Sequence, residues 1–114
     1  MREISVTELQ LLSCLGVEPE LSDPTVASWY YNTATYRVQL DRCDVVLVLQ
    51  PASRDLQLTI NVNGQRSFEL TAMTVHDVRV IDEQGVDALE IVLDARSQLI
   101  LQLRPRLEII QQFQ

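Results

Sequence analysis

Near its N-terminus the chain carries an apolar repeat with the spacing of a helix. Leucines recur every three residues between positions 9 and 15, which places them along one side of a helix. Ser5 and Glu8 have the spacing of a capping box, in which each side chain binds the backbone N–H of the other residue. Gly16 follows where a left-handed C-cap residue commonly stands. These signals predict a helix over residues 6–15.

From position 36 onward the apolar period changes to two, which is the period of a strand with one buried face. The segment 45–49 is apolar on both faces, as expected of a central strand. The clearest predicted strands are residues 36–41, 45–49, 56–62 and 98–104. Residues 106–110 suit either a last short strand or a helical turn.

The Asn63-Gly64 pair is the strongest hairpin signal in the chain. A regular two-residue turn would set Ile60 opposite Ser67, an apolar residue against a polar one. A three-residue loop instead pairs Leu58 with Phe68. Because directly opposed residues share a face of the sheet, we expect the three-residue loop.

The same test sets the register of the later hairpins. It places Val78 and Val80 opposite Ile91 and Leu89, around a four-residue loop at 83–86. For the next hairpin it predicts three pairs: Leu89 with Leu103, Ile91 with Leu101 and Leu93 with Leu99. Ahead of these strands the apolar phase slips at His76-Asp77, which predicts a β-bulge or a bend.

The patterns predict an α+β chain that is mainly β. One N-terminal helix precedes a six- to seven-stranded antiparallel meander, which forms a curled sheet, a barrel or a sandwich. The length of 114 residues suits one domain, residues 1–114, with a single core.

The charge of the chain argues against one broad class of partner. Sixteen acidic residues and nine basic ones, all arginine, give a formal charge of −7, whereas nucleic-acid binding rests on a basic surface. We find neither the apolar segment of roughly 7–15 residues that a secretory signal needs nor the ~20 residues of a membrane span. We expect a cytoplasmic protein that binds neither nucleic acid nor membrane, with Cys14 and Cys43 as free thiols.

The sequence carries no recognisable catalytic or metal-binding motif. His76 is the only histidine, and its neighbour Asp77 would point to the opposite face of a strand, so the two would not form a dyad. Three glycines are too few for a phosphate-binding loop. The acidic residues within 82–87 match no calcium-binding spacing and are typical of turns. We therefore expect a protein that is not an enzyme and holds no cofactor or metal ion.

One cluster differs from the strand pattern. Aromatic side chains directly follow residues 17–28, a polar and acidic segment that we call the acidic connector. Tyrosine and tryptophan anchor protein interfaces, and acidic side chains beside them steer a basic partner. The predicted partner-binding residues are Glu18, Glu20, Asp23, Trp29, Tyr30 and Tyr31. The alternative is that Trp29 and one tyrosine seal the core where the helix meets the sheet. Three consecutive aromatics cannot all point inward from an extended segment, which is compatible with a contact surface.

The C-terminal half resembles a pattern found in small bacterial toxin-immunity proteins. The resemblance lies in Val75–Val80, Leu89–Leu93 and Leu99–Pro105, and consists of apolar alternation and one proline. Proteins of that kind are acidic, cytoplasmic, β-rich chains that neutralise a cognate toxin by binding it. The resemblance implies the same type of function and carries over no individual residue.

Three functions are compatible with the sequence. The first is a non-catalytic protein-binding module, most concretely an immunity-type inhibitor that occludes a basic partner protein such as a toxin or an enzyme. The second is a self-associating structural or assembly protein, for example a homodimer formed through a strand edge. The third is a carrier of a small apolar ligand, or an enzyme, with a pocket of at least roughly 300 Å³.

Overall fold

A computed structural model describes residues 4–26 and 28–113 of the chain. These residues form one α-helix, one 3-10 turn at Trp29–Tyr31 and nine strands. The helix is α1 (Glu8–Leu15), and the strands are β1 (Glu20–Leu21), β2 (Ala34–Leu40), β3 (Cys43–Gln50), β4 (Asp55–Val62), β5 (Gln65–Ala72), β6 (Asp77–Glu83), β7 (Val86–Val92), β8 (Ser97–Arg104) and β9 (Glu108–Phe113).

The chain consists of two compact units, each with one antiparallel sheet. Unit 1 comprises Met1–Gly16 and Val75–Gln114, and unit 2 comprises Val17–Thr74. Strands β6 to β9 form the sheet of unit 1 and β1 to β5 that of unit 2, in chain order in both. The predicted class, mainly β with an antiparallel meander, is confirmed. Within the described residues neither strand order closes into a barrel, and the single domain over residues 1–114 stays a prediction.

Helix α1 begins two residues later than the sequence predicts. Thr7 is the N-cap, because its hydroxyl accepts a hydrogen bond from the Gln10 N–H at 3.1 Å. The Gln10 side chain accepts in return from the Thr7 N–H at 3.0 Å. The predicted capping box of Ser5 and Glu8 is therefore wrong, since Ser5 lies outside the helix and forms other bonds.

The buried side of α1 also differs from the predicted leucine repeat. A strict three-residue repeat rotates around a helix that has 3.6 residues per turn, so its members do not share one face over two turns. Leu9 is accordingly 73% exposed. The helix side chains buried within unit 1 are Leu11, Cys14 and Leu15.

The C-terminal end of α1 is capped by glycine and by a distant arginine. Gly16 has a φ of 73°, which confirms the predicted left-handed C-cap residue. Arg104 donates to the Cys14 carbonyl at 2.8 Å and to the Asp87 carboxylate at 3.0 Å, which satisfies one of the free carbonyls of the last turn. Burial, with a smaller contribution from Asp87, raises the pKa of the Cys14 thiol to about 11. Cys14 and the half-buried Cys43 are both free thiols, as predicted.

Ser5 binds a buried carboxylate at the start of β6. Its hydroxyl donates to Asp77 Oδ2 at 2.5 Å and its N–H donates to Oδ1 at 2.8 Å. Asp77 is only 2% exposed, and it also accepts from the Val78 N–H and lies 3.4 Å from Arg79 Nε. Burial alone would raise the pKa of Asp77, but the hydrogen bonds and the arginine hold it below its usual value. The two hydrogen bonds from Ser5 join the segment before α1 to the sheet of unit 1.

The hairpin of β6 and β7 has the predicted register. Val78 pairs with Ile91 and Val80 with Leu89, so apolar side chains stand opposite each other on one face. The ladder extends further than predicted, and only residues 84–85 remain in the turn instead of four.

The hairpin of β7 and β8 is shifted by two residues from the prediction, because Leu89 pairs with Leu101 and not with Leu103. The carboxylate of Asp94 accepts from the N–H groups of residues 96–97 at 2.7 and 2.9 Å. This side-chain bonding draws Asp94 into the turn. Moving the loop by one residue changes the register by two, which leaves every side chain on its predicted face.

The sheet of unit 2 builds its buried face from directly opposed apolar residues. Tyr36 pairs with Leu47, Leu47 with Leu58, and Leu58 with Leu70. Tyr36, Leu47 and Leu58 are at most 1% exposed. The alternate positions carry mostly polar side chains on the opposite face, as the period of two predicts.

The hairpin of β4 and β5 turns at Asn63-Gly64, and the predicted three-residue loop is wrong. Both turn residues have positive φ, 52° and 81°, as a two-residue type I′ turn requires. The register shifts after Ile60, so Ile60 pairs with Phe68 and Leu58 with Leu70. One extra residue in β5 thus forms a bulge, which restores the apolar pairing that a regular two-residue hairpin would lose.

Three further features settle what the pattern left open. The phase slip near His76 is a bend between β5 and β6, where Thr74 has φ 51°. Strand β9 pairs with β8, so the segment 106–110 leads into a strand and not a helical turn. The two-residue strand β1 was not predicted, because so short a strand leaves no alternating pattern.

We predict that Ser5→Ala lowers the free energy of unfolding by about 1.5–3 kcal/mol, because it removes a hydrogen bond to a buried charged group. The pKa of Asp77 is lower in the folded chain than the unfolded value near 3.9. The stabilisation that ionised Asp77 contributes to the folded chain is therefore complete above the unfolded pKa. It is lost as the pH falls through the folded pKa. Urea unfolding followed by circular dichroism at pH 7 and near pH 3 measures both effects.

Ser67→Ala is the matched control for this experiment, because Ser67 is exposed and its hydroxyl donates only to the Gln65 carbonyl. We expect it to change stability by less than about 0.5 kcal/mol. Equal effects of the two substitutions at pH 7 would contradict the role given to Ser5.

Candidate functional site

The predicted site residues lie in unit 2, in the segment that leads into β2. Residues 20–21 pair with residues 34–35, and the Ser22 N–H donates to the Thr33 carbonyl at 3.0 Å. These bonds hold together the two ends of a loop. The loop contains the 3-10 turn Trp29–Tyr31, which we call the aromatic turn.

The loop is organised by one buried amide side chain, that of Asn32, which is 4% exposed. Its Oδ1 accepts from the Asp23 N–H at 2.8 Å and from the Ser22 hydroxyl at 3.2 Å. Its Nδ2 donates to the carbonyls of Val26 and Ser28 at 3.1 and 3.0 Å. The Asn32 side chain therefore holds four residues that precede the aromatic turn, namely Ser22, Asp23, Val26 and Ser28.

Trp29 points into the core of unit 2. It is 8% exposed, and its Nε1–H donates to the hydroxyl of the fully buried Tyr36 at 2.8 Å. This arrangement gives the indole N–H the partner that a buried tryptophan needs. Trp29 and Tyr36 are therefore both buried, which agrees with the burial, though not with the stated place at the helix, that the alternative expects of Trp29 and one tyrosine.

The two tyrosines after Trp29 face progressively outward. In a 3-10 turn successive side chains point about 120° apart, because there are three residues per turn. Tyr30 is half-buried, and Tyr31 is 74% exposed. Their rings form a T-shaped pair with centroids 5.0 Å apart and planes at 90°, a preferred aromatic geometry. Tyr31 is therefore a large exposed aromatic residue supported by its neighbour.

The three acidic residues of the predicted site are all exposed. Glu20 Oε1 lies 3.6 Å from Arg37 Nε, in a surface ion pair. The Asp23 carboxylate accepts from the hydroxyl and N–H of Thr25, and these hydrogen bonds lower its pKa. Glu18 forms no ion pair among the described residues. The connector thus presents negative charge, part of which Arg37 compensates.

A shallow cavity of about 250 Å³ opens between the aromatic turn and the turn that joins β3 to β4. The residues that line it include Ser22, Tyr30, Tyr31, Gln50, Ala52 and Ser53. The Ala52 N–H donates to the Tyr30 carbonyl at 3.1 Å, so the two walls are bonded to each other. A second cavity of about 240 Å³ shares Gln50 and is bordered by Met73, which is 72% exposed. Both are smaller than the ~300 Å³ at which small-molecule sites usually begin.

The structure brings together some of the predicted residues and adds others. Tyr30, Tyr31 and the acidic connector belong to one exposed loop, whereas Trp29 supports that loop from the core. Sequence reasoning missed Asn32, because a single asparagine has no pattern that reveals burial. It also missed the turn at 50–53, which is distant in sequence from the tyrosines. No local spacing signals such a contact.

The described residues give no indication of a metal centre or a membrane-spanning helix. In residues 4–26 and 28–113 no three His, Cys, Asp or Glu side chains converge where they could hold a metal ion. The described helices are too short or too polar to cross a bilayer.

We predict that Asn32→Ala lowers the free energy of unfolding by about 1–3 kcal/mol, because it removes four hydrogen bonds made by one buried side chain. It should also speed hydrogen exchange at the Asp23 amide. Fluorescence of Trp29, the only tryptophan, follows unfolding. The control is Gln39→Ala on the exposed face of β2. The role of Asn32 is refuted if both variants unfold at the same urea concentration.

Comparisons with known proteins identify the fold. No protein-family model matches the chain, and no curated protein sequence matches it. The chain is similar to a chain of the contact-dependent growth inhibition toxin–immunity protein complex from Klebsiella pneumoniae 342. The TM-score is 0.78 at 14% sequence identity, with 96% of this chain and 95% of that chain covered. The likeness establishes a shared fold over almost the whole of both chains.

Proposed function

We propose that this chain is a non-catalytic protein-binding module, most concretely an immunity-type inhibitor that occludes a basic partner such as a toxin. The observation that carries the proposal is the Tyr30–Tyr31 pair after the acidic connector, in which Tyr31 is 74% exposed. Its fold is shared with a chain of a toxin–immunity protein complex, which supports the proposal by analogy, since a fold alone does not define a function.

The tyrosine pair has the properties of an interface anchor. Tyr31 offers a large ring at an exposed position, and aromatic anchors of this kind provide much of the binding energy of protein interfaces. The aromatic turn is held by Asn32 and Trp29. Binding therefore orders few additional groups, which reduces the entropy cost of association.

The charge of the chain suits a basic partner. Glu18, Glu20 and Asp23 precede the tyrosines in the same segment, and the whole chain carries a formal charge of −7. Such a field accelerates the encounter with a positively charged protein, an effect that salt weakens. Inhibition then requires no chemistry, because a bound chain covers the surface of its partner. We propose that this encounter takes place in the cytoplasm, the location expected from the sequence.

The proposal is tested by expressing each open reading frame adjacent to the gene for this chain in a bacterial host. We predict that one product arrests growth and that co-expression of this chain restores it. The purified pair should form a complex by isothermal titration calorimetry. The proposal fails if no adjacent product arrests growth, or if the arrest persists when this chain is present.

The double variant Tyr30→Ala/Tyr31→Ala locates the interface within the same experiment. We expect its Kd for the toxin to rise about 30-fold or more, as when an aromatic anchor worth ~2 kcal/mol is truncated. Phe113→Ala is the matched control, because Phe113 is a similarly exposed aromatic on β9 at 77%. A Kd that rises for Phe113→Ala and stays constant for the double variant would move the interface to unit 1.

A further inference from the structure

We propose that the cavity beside the aromatic turn receives an arginine side chain of the partner protein. This inference rests on the proposed function for the nature of the partner, and it names the group that the surface recognises. The cavity measures about 250 Å³, which is small for a metabolite and fits one long side chain. Its two walls come from the tyrosines and from the turn between β3 and β4.

The aromatic wall suits a flat cation. Tyr31 is 74% exposed, so much of its ring is open to a partner. A guanidinium group stacks on such a ring through its planar shape and is attracted by the negative charge of the ring face. Among residues 4–26 and 28–113 no arginine lines the cavity, although Arg54 directly follows the lining residue Ser53.

The opposite wall offers hydrogen-bond acceptors. Gln50 Oε1 accepts from the Ser53 hydroxyl at 3.1 Å, and a carbonyl oxygen has a second lone pair for another donor. Ser53 Oγ lies 3.0 Å from Asp55 Oδ2. Arginine brings five N–H donors and no acceptor. Its donor set therefore complements the oxygens of this turn.

Two carboxylates belong to residues next to the lining residues of the cavity, although neither lines the cavity itself. Asp55 stands behind Ser53, and no ion pair to Asp55 occurs among the described residues. Asp23 follows Ser22, a residue that lines the opposite side. A cation bound in the cavity is attracted by both carboxylates, whereas an anion is repelled by them. Charge and shape together select arginine.

The inference is tested without the toxin, by NMR titration of the 15N-labelled full chain with a capped Gly-Arg-Gly tripeptide. We expect chemical-shift changes confined to the amides of Tyr30, Tyr31 and the turn at 50–53. The citrulline tripeptide has nearly the same shape without the charge and should bind more weakly. Tyr31→Ala should weaken arginine binding by roughly two- to fivefold, the size of an exposed cation–π contact, while Tyr31→Phe and Phe113→Ala leave it unchanged.

Shifts spread over the whole surface, or equal shifts with citrulline, would overturn the inference. So would equal binding by the wild-type chain and Tyr31→Ala. The result is independent of the growth assay. If growth is restored but the tripeptide does not bind this cavity, the inhibitor function is supported and the arginine pocket is refuted. If the tripeptide binds but no adjacent product arrests growth, the arginine pocket is supported and the inhibitor function is refuted.

Discussion

The buried amide of Asn32 connects the packing of unit 2 to its candidate contact surface. Two hydrogen bonds to Oδ1 and two from Nδ2 hold the loop before the aromatic turn. An exposed tyrosine on an unsupported loop would have to be ordered when a partner binds. Here the ordering accompanies folding, so one side chain links the stability of the loop to the strength of the proposed binding.

The aromatic turn divides three consecutive aromatics between two roles. Trp29 reaches the hydroxyl of Tyr36 in the core, whereas Tyr31 stands in solvent. The 120° rotation per residue of a 3-10 turn produces this division. The buried residue and the proposed contact residues therefore lie on different sides of one short element. A change in how Trp29 packs would reorient the tyrosine pair directly.

How far the sequence predicts this protein depends on the range of each interaction. The period of two predicts the strands and the face of each side chain, because it records burial directly. The pairing of Leu58 was mispredicted, because one bulged residue in β5 changes the register without changing the pattern. Ser5 was misassigned because its partner, Asp77, is 72 residues away. The tyrosines and acids were visible as a cluster, but the opposite wall at Gln50 was not.

The proposed protein interface comprises the acidic connector, the aromatic turn and the β3–β4 turn. Hydrogen exchange of the chain, alone and bound to the proposed partner, tests this interface most directly, because contact slows exchange at the covered amides. We predict slower exchange at the amides of residues 18–26, 28–33 and 50–53, apart from the prolines, with β9 unchanged. Protection confined to unit 1, with these segments exchanging as in the free chain, would contradict it.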